Sequence, residues 1–99
     1  MLRGVPITVR LENERGEEVG FAGGDGTVNA LVASAEDSLV CWRFIDPYGD
    51  IIFNHLQASV LIAELDELVA AGGAEPEGVR GLAERCRDGV HLYLRFIGD

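Results

Sequence analysis

The sequence contains no lysine, and its eight basic residues are all arginine. Without a lysine amine the chain cannot form a Schiff base, anchor pyridoxal phosphate or supply the phosphate-binding lysine of a P-loop. The 17 acidic residues give a net charge of −9, which repels the phosphates of nucleic acids and of anionic membrane surfaces. We therefore expect no nucleic-acid or membrane partner, and we expect cationic partners to be attracted.

Cysteine and long apolar runs are also scarce. Cys41 and Cys86 are the two cysteines, and they are expected to be reduced core thiols of a cytoplasmic protein rather than a secreted disulfide framework. No apolar run reaches the ~18 residues of a membrane span, and the N-terminal segment turns polar too early for a signal peptide. The sequence has no metal-binding or nucleophile motif of known spacing. We expect no metal, no cofactor and no enzymatic activity.

What is present fits one small globular domain over residues 1–99, with 47% hydrophobic residues. Alternation predicts a strand over 5–12 that returns as a hairpin over 17–23, and a last strand over 90–97. A second hairpin is predicted over 39–53. The side chains expected to face inward are Ile7, Val9, Leu11, Val40, Trp42, Phe44, Leu92, Leu94 and Phe96.

Two stretches have helical periodicity. Asn54 and Gln57 form a capping box before the first, which ends at Gly72. The second is predicted to begin near Pro76 and to end at Gly89. Residues 24–35 fit either a strand or a short helix, and their β-branched valines favour the strand. The fold class is therefore α+β, with four or five mostly antiparallel strands and two helices packed on one face.

The glycine-rich stretch 23–29, GGDGTVN, is a candidate ligand loop. It resembles the nucleotide-binding loop of diacylglycerol- and sphingosine-type lipid kinases, and NAD kinases share its GGDG core. The resemblance implies a nucleotide-phosphate site at Gly24, Asp25, Gly26 and Thr27. It covers seven of the 99 residues, and the kinase fold needs several parallel βαβ units and a second domain, for which the chain is too short. We interpret the stretch as a turn, with phosphate binding as the alternative.

The outward face of the predicted sheet is a second candidate site. Its residues are Arg10, Arg43, His91, Tyr93 and Arg95. If these strands are neighbours, three guanidiniums converge and suit a carboxylate, a phosphate or an acidic protein segment. Alternatively, the arginines pair with local acids such as Glu12 and Asp46, and each pair contributes less than about 1 kcal/mol.

The leading functional prediction is a small acidic, non-enzymatic interaction module that binds a basic protein partner, as inhibitors and immunity proteins do. Its expected contact surface is a set of helix acids, namely Glu64, Asp66, Glu67 and Glu84. One alternative is a small-molecule or nucleotide-phosphate site in loop 23–27 or on the arginine-bearing face. Another is a structural homo-oligomer such as a homodimer, to which the outward apolar residues Ile52 and Ile97 point.

Overall fold

The computed structural model of the protein describes residues 6–98, which form four β-strands and three α-helices. In chain order the elements are β1 (Thr8–Glu12), β2 (Glu18–Gly23), α1 (Thr27–Ser34), a 3₁₀ turn (Trp42–Phe44), β3 (Asp50–Phe53), α2 (His55–Ala70), α3 (Val79–Asp88) and β4 (Tyr93–Ile97). None of the described helices has the length and hydrophobicity that crossing a lipid bilayer requires.

The strands form one sheet in the order β2-β1-β4-β3, and every neighbouring pair is antiparallel. β1 and β2 form the predicted N-terminal hairpin. β4 is the last strand in the sequence, but in the sheet it lies between β1 and β3. It therefore pairs with the N-terminal hairpin on one side and with β3 on the other. The α+β class is thus confirmed, with α1 as a third helix beyond the two predicted.

One hydrophobic core lies between the sheet and the helices. The side chains predicted to face inward from the first and last strands are buried in it, namely Ile7, Val9, Leu11, Leu94 and Phe96, while Leu92 is half-buried. From the helix side the core receives Val28, Leu31, Leu61, Leu65, Leu68, Val79, Leu82, Ala83 and Cys86. The periods of the first and last strands and of α3 therefore predicted the buried faces correctly. The predicted apolar period of α2 also included Leu56 and Val60, which are exposed.

The boundaries of these elements follow their local chemistry. The capping box is present, because Asn54 Oδ1 accepts from the Gln57 N–H and Gln57 Oε1 accepts from the Asn54 N–H, both at 2.9 Å. α3 begins at Val79, later than predicted, and ends before Gly89 as predicted. β1 and β4 begin later than the predicted 5–12 and 90–97 strands, and residue 5 lies outside the described residues.

The strand favoured for residues 24–35 is wrong, since this stretch contains helix α1. Gly23, Gly24 and Gly26 all have positive φ angles, so the backbone leaves the extended conformation before the valines are reached. Val28 and Leu31 then lie three residues apart on the buried side of one helix. The β-branched side chains are accommodated because tertiary packing outweighs their weak strand preference.

The strand predicted over 39–46 is also wrong, and with it the 39–53 hairpin. The segment forms the 3₁₀ turn, in which Cys41 and Trp42 are both buried while Val40 and Phe44 are exposed. The backbone N–H groups of residues 40–42 donate to the carboxylate of Glu64 on α2 rather than to a neighbouring strand. In the predicted strand, these N–H groups would have donated to the backbone of a neighbouring strand. They donate to a carboxylate on a helix instead.

Candidate functional site

The sheet surface that faces away from the helices is the candidate site, and we call it the open sheet face. Its residues are Thr8, Arg10, Glu12, Phe21, Ile52, Tyr93, Arg95 and Ile97. The register places Phe21, Arg10, Arg95 and Ile52 in one row across all four strands. Phe21 and Ile52, at the two ends of this row, are 56% and 46% exposed. Nothing within residues 6–98 therefore covers the ends of the row.

The centre of the open sheet face holds two guanidiniums and one carboxylate. Glu12 is only 5% exposed, and its Oε2 accepts from Arg95 Nε at 3.0 Å and lies 3.3 Å from Arg10 Nε. At the edges, Glu18 lies 3.3 Å from Arg10 and Asp50 lies 3.5 Å from Arg95. The hydrogen bond to Glu12 raises the pKa of the Arg95 guanidinium. Both arginines thus lie in cross-strand ion pairs, although Arg10 Nε has no hydrogen-bond partner among the described residues. The carboxylates of these pairs compete with any added anion for the two guanidiniums.

Two of the five residues predicted for this face lie elsewhere. Arg43 belongs to the 3₁₀ turn, where its Nη1 donates to the Asp37 carbonyl at 2.9 Å and its guanidinium stacks 4.5 Å from the centre of the Phe44 ring. His91 precedes β4, and its Nδ1 lies 3.8 Å from a carboxylate oxygen of Glu14. Arg10, Tyr93 and Arg95 are on the open sheet face as expected, so two guanidiniums meet there rather than three.

The partners of these residues were only partly anticipated. Glu12 does pair with the arginines, whereas Asp46 accepts a hydrogen bond from the Tyr48 N–H within its own turn at 2.8 Å. Phe21 was missed, although the 17–23 strand is in the sequence-based prediction. Identifying Phe21 requires the register of the hairpin, which sets Phe21 opposite Arg10.

The glycine-rich loop joins β2 to α1, the strand–loop–helix order that the kinase resemblance implies. However, Asp25 Oδ1 already accepts from the Thr27 N–H at 2.9 Å, and this hydrogen bond lowers the pKa of the Asp25 carboxyl. Glu77 lines the same depression of about 300 Å³. Two carboxylates at this position oppose a phosphate, so the arrangement favours the turn interpretation, in which the loop starts α1.

The helix acids that were expected to meet a basic partner do not form one surface. Glu64 is buried and binds the backbone of the 3₁₀ segment. Asp66, Glu67 and Glu84 are exposed, and Asp66 accepts from Arg80 Nη1 at 2.6 Å. The prediction of a four-acid contact surface is therefore wrong, because one carboxylate has a structural role and another is neutralised by an arginine.

A cleft of about 470 Å³ lies on the helix side, between α1 and the C-terminal end of α2. Its floor is apolar and includes Leu31, Leu39 and Leu68. Glu36 and Glu67 are exposed at its rim. The cleft shares no residue with the open sheet face, and nothing in the sequence pattern had singled it out.

Neither cysteine is placed to act as a nucleophile. Both are unpaired and buried. Burial, followed by the charge of Glu64, raises the pKa of the Cys41 thiol, and burial raises the pKa of Cys86 to about 11. Because the thiolate is the reactive form, these surroundings suppress reaction. Among residues 6–98 no group of three or more His, Cys, Asp or Glu side chains is arranged to hold a metal ion.

Both thiols are expected to resist modification while the chain is folded. At pH 8 the raised pKa leaves Cys86 with about a hundredfold less thiolate than an ordinary cysteine. Reaction with an aromatic disulfide should be slow in buffer and should reach two thiols per chain within minutes in guanidinium chloride. A fast reaction of either thiol in buffer would contradict the buried placement.

Comparison of the chain with protein-family models, with characterised proteins and with solved structures found no match.

Proposed function

We propose that this protein is a non-enzymatic interaction module that binds a basic protein partner through its open sheet face. The observation that carries the proposal is the row Phe21–Arg10–Arg95–Ile52, which has exposed apolar ends and a centre of two ion-paired arginines. Aromatic residues and arginine are enriched in the cores of protein interfaces, where a few such anchors supply most of the binding energy. The row has this composition.

The charge around the row favours a basic partner over a second copy of the chain. Exposed acids lie at the margins of the open sheet face, Glu18 on one edge strand and Asp50 on the other. Each copy of the chain has a net charge of −9, so two copies repel each other at long range. A basic rim on the partner would instead be attracted, which accelerates association at low salt. The two unpaired thiols support a cytoplasmic setting, which is part of the proposal.

Phe21 and Phe44 form a matched pair for testing the proposal, because they are 56% and 55% exposed. The tagged chain is used to capture a stoichiometric partner from its source lysate, and the purified partner is then titrated against variants. Phe21→Ser is expected to weaken binding tenfold or more, about 1.4 kcal/mol or above. Phe44→Ser, in the 3₁₀ turn and outside the open sheet face, should leave the affinity within twofold.

Salt provides a second readout of the same titration. Raising the ionic strength should slow association more than it speeds dissociation, since long-range attraction acts on the encounter. Equal losses for the two phenylalanine variants would contradict the use of the open sheet face. A dimer in sedimentation that Phe21→Ser dissociates would replace the basic partner with a second copy.

A further inference from the structure

The cleft between α1 and α2 combines an apolar floor with acidic side chains and the C-terminal ends of two helices. Both helices end at it, because Ser34 is the last residue of α1 and Ala71 directly follows α2. The C-terminal end of a helix carries about half a negative charge, which basic side chains in the last turn commonly offset. Neither α1 nor α2 has such a residue, whereas the last turn of α3 has Arg85 and Arg87.

The side chains around the cleft increase this negative potential. Glu36 and Glu67 add two carboxylates at the rim, and none of the 12 lining residues is basic. Arg43 does not line the cleft. Its guanidinium donates to the Asp37 carbonyl and lies over the Phe44 ring. The cleft volume, about 470 Å³, is within the range of small-molecule sites, about 300–1,000 Å³.

We infer that this cleft binds a small organic cation of the alkylammonium class. Leu31, Leu39 and Leu68 provide an apolar surface for a short alkyl chain. The ammonium group has three N–H donors and no acceptor, and the carboxylates of Glu36 and Glu67 at the rim supply acceptors. The inference is independent of the proposed function, since the cleft shares no residue with the open sheet face.

The test is a titration of the isotope-labelled chain with pentylammonium, followed by amide NMR. Pentan-1-ol and pentanoate serve as neutral and anionic ligands of similar length. Pentylammonium is expected to shift the amide signals of residues 30–39 and 67–74 saturably, and several-fold more tightly than the alcohol. Pentanoate should leave these signals unmoved.

Variants distinguish binding of the cation in the cleft from its general attraction to an acidic protein. Glu36→Gln and Glu67→Gln should each weaken pentylammonium binding about twofold to fivefold, the effect of one partly exposed ion pair. Glu84→Gln, which removes an exposed charge of α3 outside the cleft, should leave it unchanged. Ala30→Leu, which narrows the cleft at unchanged charge, should weaken saturable binding. The amide spectrum of each free variant verifies its fold.

Three results would overturn the inference. These are equal binding of the ammonium and the alcohol, shifts spread over the acidic surface without saturation, and equal effects of Glu67→Gln and Glu84→Gln.

Discussion

Replacing Glu64 by alanine is expected to lower the free energy of unfolding by about 3 kcal/mol or more. The carboxylate of Glu64 is 6% exposed and accepts from the N–H groups of Val40, Cys41 and Trp42 at 2.6, 3.1 and 3.0 Å. Its removal leaves the donors of two buried residues without a partner. Each buried donor that loses its partner costs about 1–3 kcal/mol.

Urea unfolding followed by the fluorescence of Trp42, the single tryptophan of the chain, measures this effect. Glu67→Ala is the matched control on the same helix, because Glu67 is exposed and its loss should change stability by less than about 0.5 kcal/mol. Glu64→Gln should also destabilise the fold, since a carboxamide offers one acceptor oxygen to three donors. A loss below about 1 kcal/mol for Glu64→Ala would show that the carboxylate does not anchor the segment.

The second large effect is expected at Trp42. Its ring is buried and packs edge-to-face against Phe96, with 5.7 Å between the ring centroids. Its Nε1–H donates to the Leu61 carbonyl at 2.9 Å. Trp42→Ala should therefore cost about 3–5 kcal/mol, the usual result of deleting a large buried aromatic side chain. Phe44→Ala should cost less than about 1 kcal/mol, because that ring is exposed.

Circular dichroism is the suitable probe for this pair, because one variant lacks the tryptophan. The comparison distinguishes the 3₁₀ turn from the strand that the sequence pattern favours. In that strand Trp42 and Phe44 would share the buried face, and their alanine variants would cost similar amounts. Similar losses for the two variants would thus contradict the observed turn.

The predictions that held depend on local patterns. The alternation around β1 and in β4, and the capping box before α2, each specify structure through residues a few positions apart. The 39–46 segment alternates just as clearly, but its conformation depends on Glu64, which lies 22 to 24 residues away. The pattern within a single segment contains no sign of an acceptor on a distant helix.

The residues of the open sheet face could likewise be predicted only where they depend on local patterns. Arg10, Tyr93 and Arg95 were placed on one face because they alternate with core residues in strands that do form. Arg43 failed because its strand does not exist, and His91 failed because β4 begins two residues later. Phe21 required the hairpin register. Predicting the cleft requires knowing that α1 lies beside the C-terminal end of α2. That was out of reach because the residues of α1 were predicted to form a strand.

The most direct test of the proposed interface is hydroxyl-radical footprinting of the chain alone and in complex with its purified basic partner. Phe21 and Phe44 have the same chemistry and nearly equal exposure, so each serves as the reference for the other. Partner binding is expected to reduce oxidation of Phe21 severalfold while leaving Phe44 unchanged. Protection of Phe44 with unchanged oxidation of Phe21 would show that the partner binds around the 3₁₀ turn, and it would contradict the proposed role of the open sheet face.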